Sequence, residues 1–331
     1  ILLLIPSAFG YLHTRINYDV LTYLPEDIET MIGQDILIND FGTGAFSMFI
    51  VDGMEDKDVS KLKTEIEGVD HVKKVIWYDS LADISVPKSM LPKKLYNAFN
   101  SDTGTMMAIF FDEGTSSDGT MEAISNIRSL AGKQCFLSGM SAIVTDTKEL
   151  AEKETPLYVL IAVVLAMIVL GLTMDSFFVP ILFMLSIGFA IVYNLGSNYF
   201  MGEISYITKA LAAVLQLGVT LDYSIFLMHS YEEQQLRYGG DKKRAMAHAI
   251  SQTFSSVIGS SVTTIAGFIA LCFMSFTLGF DIGIVMVKGV VLGVIACVTI
   301  LPSMILCCDK LIEKTKHKPF LPDIGRISDK V

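Results

Sequence analysis

The sequence has few of the residues that support disulfide, metal or nucleotide chemistry. It contains five cysteines in 331 residues, and only Cys135 lies between residues 14 and 155. That segment cannot close an internal disulfide, and the chain has no CxxC or Cys/His spacing of a zinc site. P-loop, GxSxG and HExxH motifs are also missing. We therefore expect no cofactor, no metal and no enzymatic activity.

Positive charge is scarce as well. The net charge is −10, and residues 14–155 carry 24 Asp and Glu against 13 Lys and Arg. Nucleic-acid binding needs a basic surface, so this balance argues against a nucleic-acid partner. The acidic surface is explained simply by the need to keep that segment soluble.

Hydrophobic residues make up 52% of the chain, but they are unevenly distributed. We expect residues 1–13 to be the outer end of a truncated first transmembrane helix and residues 14–155 to form an extracytoplasmic domain. Residues 156–308 are almost continuously apolar, which predicts five transmembrane helices. Residues 309–331 are expected to be a cytoplasmic tail or linker.

The five predicted spans are Leu157–Met174, Phe177–Tyr199, Ile207–Met228, Ala249–Thr277 and Ile282–Cys308. Lys and Arg cluster after His229 and again after Cys308. Positive loops of this kind stay cytoplasmic, which places the turn Leu278–Asp281 and residues 14–155 outside. We predict a multi-pass protein of the cell membrane.

Residues 14–155 alternate between strand and helix patterns. In order, these are the strand Ala45–Val51, helix Asp56–Ile66, strand Val72–Tyr78, strand Thr105–Phe111, helix Asp118–Leu130 and strand Gln134–Leu137. This βαββαβ order predicts a ferredoxin-like domain, and hence an α+β membrane protein. Leu81–Asp102, with Pro87 and Pro92, is interpreted as an insertion. A helix over Ala142–Glu154 leads to the membrane, with Pro156 at its entrance.

Asp222 is the main candidate functional residue, because it lies deep inside a predicted span and is followed by Tyr223. An ionisable residue at that depth is costly and usually marks an ion or proton pathway. We interpret Asp222 as a proton relay and Tyr223 as a hydrogen-bond donor to a partner carboxylate. The alternative is a purely structural carboxylate that Lys209 or Lys288 neutralises, although Lys209 is more than three turns away.

Other residues are candidates to support the relay. Ser260, Thr263 and Thr264 lie in a segment rich in small and hydroxyl residues, and they are predicted to face Asp222 or simply to pack between helices. Lys288 either couples to the relay or extends towards the membrane interface. His229 is seven residues after Asp222 and shares its helix face, so it either passes a proton on or is an ordinary interfacial histidine.

Several motifs together resemble MMPL-type transporters of the resistance–nodulation–division (RND) superfamily, in particular the N-terminal half. They are Gly218–Glu233 with its Asp-Tyr pair, Tyr18–Asp27, Ser261–Phe268, Gly283–Val290 and Leu301–Pro302. The resemblance covers nearly the whole chain. It implies a porter domain outside the membrane and a proton-motive-force-driven exporter of lipidic or other hydrophobic molecules.

The resemblance also implies that Asp222 and Tyr223 are the proton-relay pair. In the family a matching pair lies in a second homologous half, so the expected partners are that half or a homo-oligomer, membrane lipids and a hydrophobic substrate. A different reading is a membrane scaffold that senses or binds lipids without moving protons. An intramembrane aspartyl protease would need a second central acid, which no other span contains.

Overall fold

The computed structural model describes residues 3–42, 44–80, 90 and 92–317. They form two compact units, one of residues 17–152 and one that combines residues 3–16 with residues 153–317. Residues 81–89 and 91 of the predicted insertion, with Pro87, lie outside the described residues, as does the predicted tail from residue 318 onwards.

The chain is mostly helical, with two small groups of strands. The helices are α1 Leu4–His13, α2 Glu29–Asn39, α3 Asp56–Glu67, α4 Lys93–Phe99, α5 Asp118–Leu130, α6 Met140–Thr173, α7 Phe178–Gly196, α8 Tyr206–Arg237, α9 Lys242–Leu271, α10 Leu278–Ile295, α11 Leu301–Cys307 and α12 Asp309–Lys314. The strands are β1 Arg15–Asn17, β2 Phe46–Asp52, β3 Val72–Ile76, β4 Gly104–Phe111, β5 Cys135–Ser138 and β6 Glu203–Ser205.

A four-stranded sheet forms the centre of residues 17–152. Its spatial order is β3-β4-β2-β5, and the three neighbouring pairs are antiparallel. Side chains alternate between buried and more exposed positions along β2 and β4, as period-2 strands require. The buried face includes Phe49, Met107 and Ile109, which share one core with residues of α3 and α5.

The opposite face of this sheet is apolar and open. Phe46 pairs with Phe110 across β2 and β4, and Ile50 pairs with Phe136 across β2 and β5. Phe46, Ile50 and Phe136 are exposed by 47%, 38% and 58%. A contiguous exposed apolar surface of this kind marks an interaction site more often than scattered single residues do.

The other unit contains the helices that are long and apolar enough to cross a membrane. Within the described residues there are five such segments: Met140–Thr173, Phe178–Met201, Tyr206–Arg237, Lys242–Leu271 and Leu278–Cys307. The five predicted spans fall on these five segments. The last contains a π-helical stretch, Ala296–Ile300, just before Pro302. Proline has no N–H for the helical hydrogen bond, so an irregular turn at this place has a clear cause.

The predicted helix Ala142–Glu154 is longer than expected and continues into the first predicted span. Helix α6 runs without interruption from Met140 to Thr173, with Pro156 in its interior. A proline removes one backbone hydrogen bond and often bends a helix without ending it. The separate helix Ala142–Glu154 and the first predicted span are therefore parts of one element.

Helix α1 packs closely on α7 through two glycines. A Cβ on Gly10 would lie 2.3 Å from the carbonyl oxygen of Gly196, and a Cβ on Gly196 would lie 2.0 Å from that of Ser7. Small residues permit such backbone contact between helices in a membrane. The interpretation of residues 1–13 as the end of a transmembrane helix stays a prediction.

The first residues of the predicted tail are structured. Lys242 forms ion pairs with Asp309 and Glu313 of α12. The hydroxyl groups of Ser176 and Thr315 lie 2.7 Å apart in a hydrogen bond. Up to residue 317, the chain after α11 is thus held against the α6–α7 turn and the start of α9, and does not behave as a simple linker.

Candidate functional site

Asp222 lies near the middle of α8, a helix of 32 residues that Ser205 caps by accepting a hydrogen bond from the N–H of Ile207. About 16 residues, or roughly 24 Å of helix, separate it from the first residue of α8. Its side chain is exposed, whereas the next residue, Tyr223, is buried. Asp222 therefore lies far from both ends of α8, as predicted. Its carboxylate, however, is on the outer surface of this helix bundle.

The described residues supply no ion pair or hydrogen bond to the Asp222 carboxylate. The structural alternative requires Lys209 or Lys288 to neutralise this carboxylate, but both lysines contact other groups. Lys288 donates to the hydroxyl of Ser197 at 3.1 Å and to the side-chain oxygen of Asn198, and Lys209 lies over the ring of Tyr11. Neutralisation of Asp222 by Lys209 or Lys288 is not found within this chain.

Tyr223 points into the contact between α8 and α9. Hydroxyl groups of Ser260, Ser261 and Thr264 surround its phenol, and the Asp222 carboxylate acts on it electrostatically. The phenol oxygen is buried and makes no hydrogen bond of normal geometry with the described residues. Asp222 and Tyr223 therefore point in different directions: the carboxylate of Asp222 points out of the bundle, and the phenol of Tyr223 points inward among hydroxyl groups.

The predicted supporting hydroxyls are only partly brought together. Ser260 and Thr264 lie near Tyr223, while Thr263 is exposed and donates to the carbonyl oxygen of Ser260 in its own helix. None of the three hydrogen-bonds to Asp222. Ser261 is an additional neighbour of Tyr223 that the sequence pattern did not single out, although it belongs to the same Ser-rich run.

His229 lies on the same exposed face as Asp222, as the spacing predicts. Its Nδ1 is 3.7 Å from the carboxylate of Glu232, one turn further along. His229 also lines an open apolar cavity of about 470 Å³ between α6 and α8, together with Leu221 and Ile225. The histidine thus has an acidic neighbour at the end of the Asp222 face.

Asp281 is a buried carboxylate at the end of the turn Leu278–Asp281, which the charge pattern places outside the membrane. The structure places it in the first turn of α10, only 6% exposed. It accepts hydrogen bonds from the hydroxyl of Thr208 at 2.5 Å and from the backbone N–H of Ser205 at 2.8 Å. Both donors come from the beginning of α8, so the burial of Asp281 depends on a contact between helices.

Outside the membrane-spanning helices, Tyr18 donates a hydrogen bond to Glu152 at 3.1 Å. Burial, followed by the charge of Glu152, raises the pKa of Tyr18 above its ordinary value. In the part of the chain that the structure describes, no group of three His, Cys, Asp or Glu side chains has the arrangement of a metal site.

The described residues include five helices long and apolar enough to cross a membrane, one of them with a central carboxylate, and these features indicate a multi-pass membrane protein. Residues 93–319, well over half of the sequence, match the MMPL family. The chain belongs to the MMPL family.

Individual relatives are more distant. The membrane protein MJ1562 of Methanocaldococcus jannaschii is 25% identical over 68% of this chain and 61% of its own length. The siderophore exporter MmpL5 of Mycobacterium tuberculosis is 22% identical over 53% of this chain and 18% of its own length. The crystal structure of SecDF in its super-membrane-facing form aligns with 100% of this chain and 38% of that chain, at 13% identity and a TM-score of 0.45. The chain thus spans less than two thirds of the relatives that it matches.

Proposed function

We propose that this chain is part of a proton-motive-force-driven exporter of lipidic or other hydrophobic molecules, and that Asp222 and Tyr223 form its proton relay. The observation that carries the proposal is the position of Asp222. It is a carboxylate at mid-helix, on an outer face of the bundle, with no cation beside it in the described residues.

The energetic argument starts from the cost of this arrangement. An ionised carboxylate facing lipid at the bilayer centre costs at least about 2.5 kcal/mol. Protonation removes most of that cost, and so does contact with a polar surface of another protein segment. A group with these two states can bind a proton on one side of the membrane and release it on the other.

The second polar surface would be a homologous half or a second copy of the chain. The exposed face of α8 carries Gly218 and Asp222, and the neighbouring α9 exposes Ser260 and Thr263. These small and hydroxyl residues suit close helix contact and interhelical hydrogen bonds, and the exposed Leu215 and Phe226 nearby would pack against the same partner. A matching acid and tyrosine on the partner would complete the relay.

The unit of residues 17–152 would be the porter domain. The sheet order β3-β4-β2-β5, with helices α3 and α5 after β2 and β4, is what a ferredoxin-like βαββαβ domain has. Its open sheet face presents Phe46, Ile50 and Phe136. This face would contact the apolar substrate or a second porter domain.

The positions of Lys and Arg residues indicate how the protein is oriented in the membrane. Lys242, Lys243 and Arg244 begin α9, and Lys310 and Lys314 lie in α12. With both segments in the cytoplasm, the porter domain would be outside the cell membrane. Protonation of Asp222 would then draw on protons from the outside, as export driven by the proton-motive force requires.

A second candidate function is a lipid-binding scaffold without proton transport. It is favoured by two open apolar cavities of about 650 and 470 Å³, the first between α1 and the end of α7 and the second between α6 and α8. Membrane lipid could fill both. A scaffold does not explain why an acid occupies the middle of α8.

The two functions are distinguished by proton flux. The full-length protein is reconstituted into liposomes with an internal pH dye, and a pH gradient is imposed with candidate lipids present. Wild type, Asp222→Asn and the control Asp175→Asn are compared at equal incorporation. Asp175 is a carboxylate in the α6–α7 turn, outside the spanning helices.

The proposal predicts that the gradient decays with wild type and with Asp175→Asn, but not with Asp222→Asn. Equal decay with all three proteins would overturn the relay. No protein-dependent decay in any of them, together with saturable lipid binding, would support the scaffold. Loss of Asp222→Asn from the membrane would instead indicate a structural role for the acid.

A further inference from the structure

A line of buried polar side chains runs through the contact of α7, α8 and α10. At one end, Thr208 and Asp281 are hydrogen-bonded. In the middle, the amide of Asn194 donates to the side-chain oxygen of Gln216 at 3.0 Å. Thr220 lies one turn further along α8. We call these five residues, with Asn198 and Lys288, the polar column.

The column follows one slanting row along α8. Thr208, Gln216 and Thr220 are separated by multiples of four residues, so the row turns by about 120° around the helix between Thr208 and Thr220. The distance from Thr208 to Thr220 is about 18 Å along the axis. Asp222 is two residues beyond Thr220, which turns it by about 200° to the outer surface. The column therefore reaches the depth of Asp222 without touching it.

Four polar atoms of the column are buried and have no hydrogen-bond partner among the described residues. They are Asn194 Oδ1, Asn198 Nδ2, Gln216 Nε2 and Thr220 Oγ1. Each of these residues is at most 1% exposed. Turning both amides of the Asn194–Gln216 pair exchanges their roles, but one oxygen and one nitrogen still lack partners. The deficit does not depend on how the amides are assigned.

Buried polar groups in native proteins are almost always hydrogen-bonded, to protein or to ordered water. Lipid cannot supply these bonds inside a membrane. Helix α10 supplies no side chain to bond these atoms at the two closest positions, because Gly289 faces the Asn194–Gln216 pair and Gly293 faces Thr220. A Cβ on Gly293 would lie 2.4 Å from Thr220 Oγ1, and one on Gly289 would lie 2.8 Å from Asn194 Nδ2.

We propose that the polar column is a water-binding site, in which ordered water molecules bond the unpaired atoms of Asn194, Asn198, Gln216 and Thr220. The donors and acceptors among these atoms are mixed, which suits water because it both donates and accepts. This inference concerns a single bundle and does not rest on the proposed proton relay.

Water, and not a cation, is the ligand that fits the charges. The Lys288 ammonium lies within the column and donates to Ser197 and Asn198. When protonated, Lys288 opposes the entry of cations, including hydronium, into a narrow polar passage. Asp281 is on the same face of α10 two turns earlier and acts electrostatically on Lys288, while its carboxylate is already bonded to Thr208 and Ser205.

The test is the thermal stability of full-length Thr220→Val, which removes one unpaired hydroxyl and keeps the side-chain shape. If water bonds this hydroxyl, the substitution loses those bonds and Tm should fall by about 2–4 °C. If the site is dry, removing an unsatisfied buried hydroxyl should leave Tm unchanged or raise it. The matched control is Thr253→Val, whose hydroxyl bonds to the Ala249 carbonyl of its own helix at 2.8 Å.

A density map of the full-length protein supplies a readout that stability alone does not give. Water peaks within hydrogen-bond distance of Gln216 Nε2 and Thr220 Oγ1 would support the site. A map that shows ordered water elsewhere in the bundle but none along the column would overturn it. An unchanged or raised Tm for Thr220→Val, measured against the Thr253→Val control, would overturn it as well.

Discussion

The contact between α1 and α7 gives a sharp test of the membrane bundle, because it depends on one missing methyl group. In Gly196→Ala, the new Cβ would lie 2.0 Å from the carbonyl oxygen of Ser7 and 2.6 Å from its carbonyl carbon. Ordinary contact needs about 3.4 Å, so the two helices would have to separate by roughly 1.4 Å. Both partners are backbone, and no side-chain rotation can relieve the overlap.

Overpacking of this kind costs about 1–3 kcal/mol. Alanine regains up to about 1 kcal/mol through its higher helix propensity. Gly196 is the last residue of α7, so this gain is small at that position. We therefore expect Gly196→Ala to lower stability by about 1–3 kcal/mol and to lower Tm measurably. Thermal unfolding of the purified full-length protein in detergent measures the shift.

Gly188 provides the matched control on the same helix. A Cβ at this position would meet nothing within 4 Å, so Gly188→Ala should leave Tm unchanged or raise it slightly. Equal stability of Gly196→Ala and Gly188→Ala would refute the close packing of α1 on α7. A loss in both variants would show that glycine is needed for another reason, such as helix flexibility.

Two further predictions concern other parts of the chain. In residues 17–152, Thr105→Val should destabilise the unit by about 1–3 kcal/mol, because it leaves the buried Trp77 Nε1–H without its 2.7 Å acceptor. Chemical unfolding followed by Trp77 fluorescence measures the loss of stability. An unchanged stability would contradict this hydrogen bond. Lys242→Met should cost no more than about 1 kcal/mol globally, since its pairs with Asp309 and Glu313 are partly exposed. It should nevertheless speed hydrogen exchange in α12, and unchanged exchange there would mean that the pairs do not hold the helix.

Local patterns predict the four central strands and the helices α3 and α5 well, whereas α2 and α4 were not predicted. Helix α5 begins and ends at the predicted residues, because Ser117 caps it and its apolar spacing is regular. Strands β2 and β4 follow the period-2 pattern to within one residue at either end. Helix caps and apolar spacing depend on residues that are neighbours in the sequence, so these elements can be predicted from the sequence.

The candidate site could be predicted only in part. The sequence indicates how deep Asp222 lies along its span, but not which face of α8 it occupies. In a membrane, lipid-facing and buried surfaces are both apolar, so hydrophobicity does not distinguish them. The burial of Asp281 was likewise missed because Thr208 and Ser205 approach it from another element. The regular spacing of Thr208, Gln216 and Thr220 is a signal that could have revealed the polar column.

The central claim is that Asp222 takes up and releases a proton within the membrane. Infrared difference spectroscopy of the full-length protein in lipid, between high and low pH, measures this directly through the C=O stretch of a protonated carboxyl group. Because the other Asp and Glu residues also contribute to this band, the account predicts one band component that is present in wild type and in the control Asp175→Asn and is missing in Asp222→Asn. A band that persists unchanged in Asp222→Asn would contradict the assignment of Asp222 as the proton-binding group.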